Sequence, residues 1–228
     1  MTLAPDLRRV LTIAGKDLAI ERRAKANFNA VVFLAATMLL LFGFALGPDA
    51  AALRAAAAGV LWLTVLFSGS LAFNRSYQTE LEEGALETLL LYPGSRKSIF
   101  AGKLLANLVF ILMVEAILVP MAAVLYGLSF GDGLGGVALA LVLGTIGFVT
   151  MGTFYAAMAS RLRAREVLLP LLLFPMLVPL LVAAVEVTAA FMGQSPFAPT
   201  GRWLTLMAAY DVVFLLATMG AYDFVIDD

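Results

Sequence analysis

Residues 104–127, LLANLVFILMVEAILVPMAAVLYG, decide the fold class of this chain, because Glu115 is the one charged residue among these 24 positions. Hydrocarbon about 30 Å thick is crossed by a helix of roughly 20 mostly apolar residues. Backbone N–H and C=O groups have no water to bind in that layer, so the chain must satisfy them within a helix. The sequence therefore predicts a transmembrane helix here.

Five further windows of the 228-residue chain share this length and apolar character. Because 62 % of the residues are apolar and 14 % are charged, the chain carries more apolar surface than one soluble core buries. We expect an all-α membrane protein with a six-span transmembrane domain over residues 27–228. The expected spans are 27–47, 55–74, 104–127, 134–160, 167–191 and 203–224.

Lysine and arginine residues divide unequally between the two ends of the expected spans, 13 against 2. Since cation-rich loops stay in the cytoplasm, both termini are expected there. The cytoplasmic set is Arg8, Arg9, Lys16, Arg22, Arg23, Lys25, Arg75, Arg96, Lys97, Lys103, Arg161, Arg163 and Arg165, and the opposite set is Arg54 and Arg202.

Residues 1–26 precede the first span and have amphipathic character. The apolar residues recur at steps of three and four, as in a helix with one apolar face. With its cations, this pattern predicts an interfacial helix in the headgroup layer, serving as a membrane anchor or taking part in gating. The apolar positions are Leu7, Val10, Leu11, Ala14 and Leu18.

Residues 75–103, between spans two and three, are predicted to contain a cytoplasmic helix that is acidic at its start and leucine-rich further on. Its apolar face must press on the membrane or on another protein, and a half-buried connector is the alternative. The residues that define it are Glu82, Glu83, Gly84, Leu86, Glu87, Leu89, Leu90 and Pro93.

The carboxylates that lie well within the expected spans, away from the acidic C-terminal end, are Glu115, Glu186 and Asp211. An ionised carboxylate is costly at that depth, so Glu115 is expected to face protein or water. Its protonation or its partner could change as the subunit moves, or it could hold helices together by hydrogen bonds with Asn107 or threonines. Glu186 and Asp211 are expected to lie at similar depth, near the outer ends of their spans.

Two further patterns concern helix geometry. Pro170, Pro175 and Pro179 predict a kinked or broken fifth span that could serve as a hinge, although membrane helices also tolerate prolines. Small residues recur on one face of the fourth span and predict close helix packing, within the chain or in a dimer. These are Gly136, Ala140, Gly144 and Gly147.

The sequence contains no cysteine and no histidine, which excludes disulfides, zinc sites and cysteine or histidine nucleophiles. No G-x-x-x-x-G-K-[ST] phosphate-binding loop is present, since Gly102-Lys103 is followed by Leu104. We expect no catalytic residue, metal or cofactor in this chain. A membrane-embedded enzyme using Glu115, Glu186 and Asp211 is the remaining catalytic alternative.

The run Glu82 to Pro93, with Lys103 ten residues on, resembles the E-x-G-x-L-E-x-L-L-x-x-P segment of ABC-2-type permeases. With its flanking residues, the chain resembles the CcmB family of haem exporter subunits. The flanking matches are Lys16-Asp17-Leu18 with Glu21 and Arg22, Leu46-Gly47-Pro48-Asp49, and Gly59-Val60-Leu61-Trp62.

This resemblance implies a permease subunit in the bacterial inner membrane that has no nucleic acid partner. Two copies would form a homodimer in the lipid bilayer and pair with CcmA-like ATPase subunits that bind ATP and Mg²⁺. CcmC-like and CcmD-like proteins would complete a complex that handles haem and releases the haem-loaded CcmE-like chaperone in cytochrome c maturation. The run from Glu82 to Pro93 would couple the ATPase to the membrane. An ABC-2-type permease for a lipid or drug, and a non-catalytic assembly scaffold, remain alternatives.

Overall fold

The computed structural model describes residues 3–76, 95–159, 165–194 and 199–227. These parts of the chain form seven α-helices and one 3-10 turn, without a strand, which confirms the expected all-α class. The helices are α1 (Leu3–Ala24), α2 (Ala26–Leu46), α3 (Ala50–Ser76), α4 (Arg96–Tyr126), α5 (Leu134–Ala159), α6 (Arg165–Phe191) and α7 (Thr200–Asp227), with the 3-10 turn at Gly131–Gly133.

Six helices, α2 to α7, are long and apolar enough to cross a membrane. Some extend beyond the predicted spans: α3 begins at Ala50 instead of residue 55, and α4 begins at Arg96 instead of residue 104. Residues 96–103 therefore belong to the same helix as span three, because a helix that satisfies its own backbone continues without interruption into the polar layer. The orientation of the termini stays a prediction.

The fifth helix, α5, lies at the centre of the membrane domain and packs against α3, α4, α6 and α7. Glycines of α5 allow this close packing, because aromatic rings of neighbouring helices occupy the space that a side chain at the glycine positions would fill. The ring of Trp62 lies against Gly144 and the ring of Phe191 lies against Gly136. The small-residue face of span four therefore packs inside the chain.

The second helix, α2, lies at the edge of the bundle and is the least buried of the six spans. Only a narrow stripe of Val31, Ala35 and Leu39 is buried. Phe33 and Phe44 on other faces are 74 % and 81 % exposed. Large exposed apolar side chains on a membrane helix belong against lipid or another subunit, because neither surface requires polar groups.

The sixth helix, α6, is continuous from Arg165 to Phe191, so the predicted break at its prolines is absent, and a kink there stays a prediction. Pro175 and Pro179 lie on an exposed face, and the side chain of Pro170 lies outside the described residues. Membrane helices tolerate prolines where neighbouring groups or a local adjustment satisfy the backbone carbonyls that the prolines free. The hinge role stays a prediction.

Replacing Gly144 by alanine is expected to destabilise the domain by about 1–3 kcal/mol, the usual cost of overpacking a core. The new Cβ would overlap the Trp62 ring, which is buried and held by a hydrogen bond to Thr188. Unfolding of the detergent-solubilised chain by a denaturing detergent measures the change. Gly220→Ala is the matched control, because a Cβ there meets nothing within 4 Å. Equal unfolding midpoints for the two variants would contradict this account of α5.

Candidate functional site

The intramembrane carboxylate Glu115 points into the bundle between α4 and α5. Its Oε1 accepts a hydrogen bond from the Thr145 hydroxyl at 2.6 Å, and the residue is 2 % exposed. Its Oε2 has no hydrogen-bond partner among the described residues. One oxygen of the carboxyl group is therefore hydrogen-bonded to α5, and the other oxygen can accept a hydrogen bond from another partner.

Two further hydrogen bonds between buried side chains join spans among the described residues. The Asn107 amide of α4 donates to the Thr153 hydroxyl of α5 at 2.9 Å, so Asn107 serves a threonine and not Glu115. The Trp62 indole of α3 donates to the Thr188 hydroxyl of α6 at 3.0 Å. Because partners for polar groups are scarce inside a membrane, these bonds fix which helix faces meet.

A second buried carboxylate, Asp211, lies at the middle of span Thr200–Tyr222 and not near its outer end. It is 7 % exposed, and a Cβ placed on Gly147 would stand 2.5 Å from its Oδ1, so the absence of a side chain at Gly147 makes room for it. Neither carboxylate oxygen has a hydrogen-bond partner in the part of the chain that the structure describes.

Glu115 and Asp211 meet α5 only two positions apart, at Thr145 and Gly147. Two residues along a helix are 200° apart around its axis, so the carboxylates flank α5 at nearly the same depth. Glu186 is half-buried and makes no hydrogen bond or ion pair with any described residue, so no bond joins it to Asp211. Within the described ranges, no three acidic side chains form a metal-binding group.

The residues predicted to couple this chain to an ATPase, Glu82, Glu83, Gly84, Leu86, Glu87, Leu89, Leu90 and Pro93, lie outside the described residues. The described residues resume at Ser95, one residue before α4, and the N-terminal part of α4 contacts α1. The predicted coupling segment therefore leads directly into a helix that is held by the N-terminal helix.

An ion pair between Lys103 and Asp17 lies at the centre of this contact. The Lys103 Nζ is 3.4 Å from Asp17 Oδ2, and the lysine side chain is fully buried while that of Asp17 is 19 % exposed. The Lys16 Nζ lies 3.2 Å from the other Asp17 oxygen. Sequence reasoning assigned Lys103 no partner, although a lysine that begins a long apolar run is a position where a buried acidic partner can be sought.

The packing around the ion pair divides the apolar face predicted for α1. Ile13 and Ala14 are buried, and Ile13 lies against Gly102 of α4, whereas Leu7 and Leu11 are 60 % and 55 % exposed. One part of the face therefore contacts protein, and the other part is open to the surroundings. Immersion of α1 in the headgroup layer stays a prediction.

Replacing Thr145 by valine is expected to destabilise the chain by about 1–3 kcal/mol, because the buried Glu115 carboxyl then loses its hydroxyl donor while valine keeps the shape of threonine. Thermal unfolding in detergent measures the loss. Thr205→Val is the matched control, since that exposed hydroxyl binds only the Gly201 carbonyl of its own helix. If both variants unfold alike, the Glu115–Thr145 contact does not support the bundle.

Comparison with known proteins places these features in a family. The family model described as CcmB protein matches residues 8–224. Heme exporter protein B of Rhodobacter capsulatus is 30 % identical over 174 residues, which cover 76 % of this chain and 79 % of that protein. Heme exporter protein B of Escherichia coli K12 is 30 % identical over 194 residues, covering 85 % of this chain and 86 % of that protein. Heme exporter protein B of Pseudomonas aeruginosa is 26 % identical over 199 residues, covering 87 % and 88 %. The match extends over α2 to α6 and nearly all of α1 and α7, and the chain therefore belongs to the CcmB protein family.

Proposed function

We propose that this chain is the membrane subunit of an ATP-driven haem exporter in bacterial cytochrome c biogenesis. The observation that carries the proposal is the family match over residues 8–224, together with relatives named Heme exporter protein B that align along most of their length. Six helices that are long and apolar enough to cross a membrane fit a subunit that lies in the bilayer. The inner membrane is the site that this function implies.

The ATP-binding site belongs to a CcmA-like partner under this proposal. A phosphate-binding loop needs backbone amides and a lysine that reach the phosphates, and the sequence contains no such motif. Its nearest candidate, Gly102-Lys103, has a different use in the structure, since Gly102 contacts Ile13 and Lys103 pairs with Asp17. Nucleotide and Mg²⁺ are therefore assigned to the partner.

The coupling surface is assigned to the run from Glu82 to Pro93, by the resemblance of this run to the ABC-2-type permeases. Its acidic start and leucine-rich continuation suit a surface on which another protein docks. The helix that follows, α4, passes from this run into the bundle and carries Glu115. Displacement of the run by the partner would therefore reach the carboxylates around α5 through one continuous helix.

The assembly we propose contains two copies of this chain, CcmA-like ATPase subunits, and CcmC-like and CcmD-like membrane proteins. ATP hydrolysis by the complex is coupled to haem export or to release of the haem-loaded CcmE-like chaperone. The exposed Leu7 and Leu11 of α1 lie in the bilayer, and the exposed Arg8, Arg22 and Arg23 lie near anionic headgroups. This chain supplies the membrane part and binds no cofactor of its own.

Introducing Glu83→Lys together with Leu86→Glu is expected to lower the ATP turnover of the complex roughly three- to thirtyfold, the range over which mutations along a coupling route act. The change reverses a charge and removes apolar contact at the proposed docking surface. ATPase activity of the co-purified CcmA-like subunit in lipid nanodiscs is the measurement, with recovery of that subunit recorded in parallel.

Arg202→Gln is the matched control, because Arg202 is exposed and lies on the predicted external side. Its ATP turnover should equal that of the wild type. Unchanged turnover in the Glu83 and Leu86 variant, or failure of the wild-type chain to recover any ATPase, would contradict the proposed coupling and favour a scaffold.

A further inference from the structure

The inner end of α4 and the N-terminal helix α1 are joined by contacts of three physical kinds. The first is the ion pair between Asp17 and the fully buried Lys103, 3.4 Å apart. A buried ammonium without a nearby anion is strongly unfavourable, so this pair resists separation. A force that displaces the part of α4 around Lys103 therefore also displaces α1.

The second kind of contact is close packing at Gly102. A Cβ at this position would stand 2.7 Å from the Ile13 Cβ and 3.1 Å from the Val10 carbonyl oxygen, so α1 approaches α4 as closely as a glycine permits. Ile13 is buried. Because packed surfaces of this kind have no free volume, the two helices cannot slide without opening the contact.

The third kind is hydrogen bonding near the start of α4. The Ser98 hydroxyl donates to Asp6 Oδ1 at 3.2 Å, and the Arg9 guanidinium donates to the Ser95 carbonyl at 3.4 Å. Together with Lys103, these residues attach α1 to the first two turns of α4. These turns follow directly on the run to which the ATPase contact is assigned.

The far end of α1 is attached to the first span. Glu21 Oε1 accepts from the Phe28 backbone N–H at 2.8 Å, and Oε2 accepts from the Asn27 amide at 3.2 Å. The chain passes from α1 to α2 through Lys25, whose φ of 52° lies in the left-handed region. The helix α1 therefore bridges the starts of α2 and α4.

We infer that Asp17 and Lys103 are positioning residues that lock α1 to the inner end of α4, so that both move as one body when the ATPase partner works and carry that movement to α2. The inference rests on the proposed function and adds a regulatory connection to it. The helix α1 is then a transmission element in addition to a membrane anchor. Neither residue contacts ATP or haem under this inference.

The test uses the complex in nanodiscs with the variants Lys103→Met and Asp17→Asn. We expect each to lower ATP turnover roughly three- to thirtyfold with the KM for ATP unchanged, because the nucleotide site lies in the partner. The reversed pair Asp17→Lys with Lys103→Asp should recover part of the lost turnover, which a loss of either side chain for unrelated reasons would not do. Thr12→Val removes an exposed hydroxyl of the same helix that binds only the Arg8 carbonyl of that helix, and it should retain wild-type turnover.

A distance measurement tests the shared movement independently of these variants. The chain has no cysteine, so spin labels can be attached at cysteines introduced for Gly15 of α1 and Met113 of α4, both exposed. In the otherwise wild-type complex, the label distance should be single and unchanged between the nucleotide-free and ATP-trapped states. In Lys103→Met it should broaden or shift.

The outcomes separate this inference from the proposed function. A label distance that changes with nucleotide in the wild type, or pair variants that match Thr12→Val in turnover and label distance, would overturn the lock while leaving a stimulated ATPase in place. An ATPase whose activity never depends on this chain would instead remove the proposed function. If the pair variants do not assemble, the label distance in the wild type still decides the question.

Discussion

Close packing on α5 is the constraint on which the membrane domain depends. Lipid offers no hydrophobic force that drives one apolar helix onto another, so the spans associate through shape and through a few polar contacts. Missing side chains at Gly136, Gly144 and Gly147 let Phe191, Trp62 and Asp211 reach the α5 backbone. The surrounding helices therefore have defined positions around α5, and the buried carboxylates have defined positions beside it.

The number and type of the spans could be predicted from the sequence, because a run such as residues 104–127 has no stable alternative to a membrane helix. Helix ends were less predictable, since α4 continues outward to Arg96 through residues that are too polar for hydrocarbon. A kinked or broken α6 was predicted from its prolines, but the helix is continuous from Arg165 to Phe191, with Pro175 and Pro179 on its exposed face. The sequence shows where a proline lies in a helix, but the groups that surround the proline, which decide its effect, are known only from the fold.

The candidate site shows the same limit. A lone glutamate in span three indicated a buried polar position, but its partner Thr145 is 30 residues away and could not be chosen among many threonines. The Asp17 and Lys103 pair joins residues 86 positions apart. Both residues had entered the family resemblance without a physical role. The contact between them explains structurally why these residue types stand at these positions. The same holds for Glu21, which caps α2 and was also recognised only as part of a sequence pattern.

Family membership and structure support one account, in which a CcmB family membrane subunit transmits the work of a separate ATPase through α4 and α1. The measurement that tests its central claim most directly is release of a haem-loaded CcmE-like chaperone from the reconstituted complex, followed by haem absorbance. The account predicts release only when this chain and hydrolysable ATP are both present. Equal release without the chain, or with a nonhydrolysable ATP analogue, would contradict it.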